Sequence, residues 1–85
     1  MVDYVLPLEL LGSGEWAEVV DVSGEAAWVG RLAELGIRIG SQLQMLQAGS
    51  PCLLRVGSAR LSLRGELAMQ VMVRPLPGPL ELPVP

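Results

Sequence analysis

The chain has 85 residues, of which 51% are apolar and 18% charged, and a net charge of −3; that is room for one domain and one core, and a chain this short buries only about 60% of the surface its unfolded form exposes. It has no His and no Lys, one Cys and one Tyr, which removes most acid–base and nucleophilic options, the usual transition-metal ligand sets and any intrachain disulfide. Every basic residue is an Arg and the six are dispersed, so the cationic footprint of a nucleic-acid binder is missing.

These exclusions describe a binding module rather than an enzyme. No catalytic residue, cofactor site or metal site is expected. Met1-Val2-Asp3-Tyr4 has neither the basic region nor the apolar run of a secretory leader, so a cytoplasmic chain is expected. The longest uncharged stretch, Ile39 to Leu54, is broken by three Gln, two Gly and Pro51 and is too short and polar to cross a bilayer.

Pro7 to Leu11 reads as one helical turn or an entry strand, closed by Gly12-Ser13-Gly14. That Gly-x-Gly is followed by a strand pattern at Trp16, not by the helix a dinucleotide site needs. Trp16 to Val22 is a β-rich run whose adjacent Val19 and Val20 break the alternation, as a bulge would. From Glu25 to Leu35 the period changes: Trp28, Leu32 and Leu35 recur at helical spacing and are expected to face the core, with Gly36 as the stop. Arg31 and Glu34 fall on the exposed side.

Past Gly40, Leu43, Met45 and Gln47 point one way from a strand that ends at the Gly49-Ser50-Pro51 turn. Cys52 to Val56 forms the next strand, with Cys52 as a half-buried strand residue, and Gly57-Ser58 forms a two-residue hairpin loop. Ala59 to Arg64 alternates cleanly, with Leu61 and Leu63 inward and Arg60, Ser62 and Arg64 outward. A helical turn over Gly65 to Ala68 precedes a last strand, Met69 to Arg74. The expected fold is mainly β: a small closed barrel of about five strands with one short helix inserted after the first. Residues 1–74 make this domain, and the Pro-rich residues 75–85, holding five of the seven Pro, make an extended tail outside the sheet. With no Phe available, Trp16 and Trp28 are expected as core fillers. Glu15, Glu18, Asp21 and Glu25 match no cation-binding loop spacing and read as surface acidity.

The order of residues adds a likeness that composition does not. Arg31-Leu32-Ala33-Glu34-Leu35-Gly36-Ile37-Arg38-Ile39-Gly40 resembles the signature of the FeoA family: Arg-Leu, two variable residues, Leu-Gly-Leu/Ile, two more and Gly. Leu8-Glu9-Leu10 and Val19 to Val22 upstream, and Pro51 to Gly57, Leu61 to Arg64, Glu66 and Ala68 downstream, agree with the same family. Ile39 stands where many relatives have Pro, and the tail is not part of the pattern.

The resemblance implies an SH3-like barrel and a non-catalytic accessory protein of ferrous iron transport, with transition-metal binding as a family-level keyword. It implies a cytoplasmic protein recruited to the inner face of the membrane by its partner, the cytosolic GTP-binding part of the permease FeoB. Arg31, Glu34 and Arg38 are the partner-binding candidates. Two other readings stay open at this point: an interaction module related to the SH3-like C-terminal domain of iron-dependent repressors, and a small nucleic-acid-binding barrel.

Overall fold

The computed structural model describes residues 4–78. Its strands are β1 (Leu6–Pro7), β2 (Trp16–Val22), β3 (Gln42–Gln47), β4 (Cys52–Val56), β5 (Ala59–Leu63) and β6 (Val71–Leu76); its α-helices are α1 (Ala26–Glu34) and α2 (Gly65–Ala68). A 3-10 turn over Leu8–Leu10 follows β1 directly, so the first segment is both of the forms its sequence allows. Every strand pairing is antiparallel, in the order β1-β6-β2-β3-β4-β5. The architecture is the expected mainly-β barrel with its helix after the first long strand, and the two-residue β1 adds a sixth strand.

Alternation builds the interior, because successive strand residues face opposite sides of the sheet. Ala17 and Val19 of β2, Leu43 and Met45 of β3, Leu54 of β4, Leu63 of β5 and Val71 and Val73 of β6 are all buried. The bulge appears as a register shift between Val19 and Asp21 against β6. A second shift, between Met45 and Gln47 against β4, turns Gln47 out to solvent instead of leaving it on the inner face with Met45. The β4–β5 hairpin pairs Val56 with Ala59 across Gly57-Ser58, with Gly57 at φ +61°; a left-handed residue there matches the turn to the strand twist. The Ser50–Pro51 peptide that opens β4 is cis.

β5 and β1 are the two ends of the ladder, and the 3-10 turn packs against α2. Leu8 of the 3-10 turn and Ala68 of α2 are both buried where these elements meet.

Three expectations need correction. The last strand starts at Val71, not Met69, which is 58% exposed in the turn after α2. It then runs past Arg74: Pro75 pairs with Ala17 and Leu76 with Trp16. Proline lacks the N–H and has a fixed φ, and a position next to a strand end tolerates both; the rest of the expected tail, 79–85, lies outside the described residues. Finally, neither Trp is a core residue. Trp16 alternates with buried Ala17 and lies outward, half-buried, and Trp28 is 41% exposed. Leu, Val, Ile and Met fill the interior instead.

Candidate functional site

Helix α1 and the loop after it carry the residues that the sequence singles out. The inward stripe of α1 is Val29, Leu32 and Ala33, at i, i+3 and i+4, with Leu32 fully enclosed and the other two half-buried. The Trp28–Leu32–Leu35 stripe is one edge of it: Leu32 is shared, whereas Trp28 and Leu35 are each 41% exposed. Both stripes have helical spacing, and size favoured the wrong one. A short helix lying on a curved barrel buries its middle and leaves its ends proud.

The end of α1 explains where the missing apolar contact comes from. The Gly36 N–H donates to the Ala33 carbonyl at 3.0 Å and the Ile37 N–H to the Leu32 carbonyl at 2.8 Å. These two bonds make a Schellman cap, with Gly36 in the left-handed position at φ +95°. The reversal drives Ile37 into the core, fully buried, in the place expected of Leu35. Ser41 then fixes the loop: its hydroxyl donates to the Gly36 carbonyl at 2.7 Å and accepts the Arg38 N–H at 3.2 Å.

Arg31, Glu34 and Arg38 are all exposed. Arg31 and Glu34 share a shallow depression of about 610 Å³ with Ala26, Ala27, Trp28 and Gly30. Arg38 lines a neighbouring apolar depression of about 330 Å³ with Val22, Val29, Ala33, Ile37 and Ile39, the last 69% exposed. The fold thus brings Arg31 and Glu34 into one recess and sets Arg38 in another lined by different helix positions. The exposed apolar residues Trp28 and Leu35 escaped the sequence reading because period and size alone assign such residues to the core, and Ile39 stands in it only as a motif position.

Other candidates have ordinary occupations. The Glu15 carboxylate accepts the Gly12 N–H at 2.6 Å, and Glu18 pairs with Arg74 across β2 and β6 at 3.5 Å. Among the described residues no group of three acidic, Cys or His side chains could hold a metal ion. Cys52 is buried opposite Leu63, not half-buried, and burial raises its thiol pKa, which leaves it a poor nucleophile. Among the same residues no helix is long and apolar enough to cross a membrane.

Known proteins agree with this geometry. The FeoA domain profile matches residues 6–75. A crystal structure of an iron uptake regulatory protein (FeoA) is similar over 86% of this chain and all of its own, at 32% identity and a TM-score of 0.82. FeoA from Chlorobium tepidum is similar over 88% of this chain and 74% of its own, at 31% identity and a TM-score of 0.79. FeoA from Stenotrophomonas maltophilia, solved with zinc and described as a prokaryotic SH3 domain protein, is similar over 80% and 88%, at 32% identity and a TM-score of 0.71. A manganese-dependent transcriptional repressor shares the fold at 21% identity, over 42% of its chain. No curated protein matches this chain.

Proposed function

Because this chain belongs to the FeoA family, whose members are non-catalytic accessory factors of ferrous iron transport, we propose that it acts by contact, binding the cytosolic GTP-binding part of the permease FeoB through α1 and the loop to Gly40. The reading rests on one observation: α1 leaves Trp28, Arg31 and Glu34 exposed, and its cap and loop add Leu35, Arg38 and Ile39. Interfaces are enriched in tryptophan and arginine, and apolar neighbours around such residues exclude water.

Each element of that surface has a physical role. Trp28, Leu35 and Ile39 supply apolar area whose removal from water drives association. Arg31, Glu34 and Arg38 set orientation and partner choice, since rim charges tune encounter and specificity more than affinity. The cap at Gly36 and the Ser41 bonds hold Arg38 and Ile39 in place before binding, which lowers the ordering cost.

The test is a pull-down of the permease's cytosolic domain by the full chain, with and without guanine nucleotide. Retention that weakens when Arg31, Glu34 and Arg38 are replaced by Ala is the expected result. No retention in either nucleotide condition sinks the reading.

A further inference from the structure

We infer that the free edge of β5 is a docking site for an extended peptide segment in which acidic and apolar residues alternate. The starting observation is topological. β5 ends the ladder, paired with β4 on one side and, among the described residues, with no strand on the other. In an antiparallel strand alternate residues bond the neighbour, and the rest turn N–H and C=O groups towards the open side, where an added strand can use them.

The edge is bordered by a cleft. A recess of about 390 Å³ lies there, lined by Ser62 and Arg64 beside β5, Glu66, Leu67 and Gln70 of the following turn, and Trp28 of α1. The Gln70 side-chain carbonyl oxygen is buried without a hydrogen-bond partner. Leu67 and Trp28 give the recess an apolar wall.

Charge decides the occupant. Arg55 of β4 stands directly opposite Arg60 of β5, an arrangement that costs stability in a sheet, and Arg64 follows in the alternation. All three are exposed, and no ion pair engages them among the described residues. In a chain of net charge −3 this is a local cationic strip beside an unpaired edge. Carboxylates at alternate positions of an added strand reach the face of Arg60, Ser62 and Arg64, while the residues between turn to the opposite face, beside half-buried Leu61. Glu66 on the wall disfavours an unbroken acidic run. The proposal shares Trp28 with the permease-contact surface but uses none of Arg31, Glu34 and Arg38; exchange protection at Arg60 and Ser62 is the readout that separates it from the permease reading.

The test titrates the full chain with a short synthetic peptide alternating glutamate and valine, followed by amide NMR. The acidic peptide is expected to slow hydrogen exchange at Arg60 and Ser62 and to shift the Trp28 indole signal. Its affinity should fall about tenfold or more in the R60E/R64E variant, whose fold is checked by its melting curve. A version methylated on alternate backbone nitrogens keeps every side chain and should not bind. Equal binding of the methylated peptide, equal binding of a lysine–valine counterpart, or no binding at all overturns the proposal. Self-association lost in R60E/R64E without peptide binding assigns the edge to a second copy and overturns the choice of occupant.

Discussion

The Ile37 N–H donates to the Leu32 carbonyl at 2.8 Å, and the side chains of both residues are buried. One backbone bond therefore ends α1 and delivers the next core residue, so the cap couples helix length to barrel packing. Whatever surface α1 presents is held in orientation by this pair.

Gly36 makes that bond geometry possible. At φ +95° a side chain is strained, and an added Cβ meets the Val56 Cγ1 at 3.2 Å. Gly36→Ala should therefore cost about 1–2 kcal/mol in urea unfolding. Gly30→Ala, within α1 and facing open space, should instead stabilise by about 0.5–1 kcal/mol. Equal effects of the two substitutions would contradict the cap assignment.

The stripe of α1 is tested by truncation. Leu32→Ala removes a buried side chain and should cost about 2–5 kcal/mol, with Ile37→Ala in the same range. Leu35→Ala, at a position 41% exposed, should cost well under half as much as Leu32→Ala. The midpoints of denaturant unfolding at constant slope read all three.

This stripe also shows how far the sequence could be read. Alternation in β3 and β5 was legible because buried Leu43 and Leu63 each sit at period two from another inward residue, Met45 and Leu61. Gly36 was legible as a helix stop because the left-handed position selects for glycine. The burial of Ile37 was not, since it follows from a chain reversal that brings a residue beyond the helix into the core. Nor was the continuation of β6 through Pro75, because the partner it needs, Ala17, is far away in sequence. In the candidate site, Arg31 and Glu34 could be placed on the surface from pattern alone, whereas Arg38 is singled out by the family resemblance. The exposure of Trp28 and Leu35 depends on which helix face meets the barrel, and periodicity does not resolve a rotation by one residue; that of Ile39 depends on the loop after the Gly36 reversal.

Glu18 and Arg74 pair across β2 and β6 at 3.5 Å, with both side chains more than a third exposed. Solvent screening keeps such a pair small, so Glu18→Gln should cost about 0.2–1 kcal/mol at low salt and less as salt rises. Comparing the unfolding midpoints of the two proteins at low and at high salt checks both parts.

Cys52 gives a pH signature. Burial raises its folded-state pKa above the ordinary thiol value of 9.0, so the unfolded chain loses this proton first. Above that value the unfolded state binds fewer protons than the folded state, and stability falls as pH rises towards the folded pKa; below it the contribution is fully present. Wild type should lose stability above about pH 9 more steeply than Cys52→Ala, which is less stable at neutral pH through its cavity. Parallel pH profiles would show that the thiol is not desolvated in solution.

The central claim, that α1 and its loop form the contact surface of this FeoA protein, is tested most directly by mapping amide NMR shifts of the full chain on titration with the cytosolic domain of FeoB. The account predicts perturbations concentrated from Trp28 to Ile39, and their weakening at equal partner concentration when Arg31, Glu34 and Arg38 are replaced together. Perturbations confined to β5 and α2, or none at saturating partner, would contradict it.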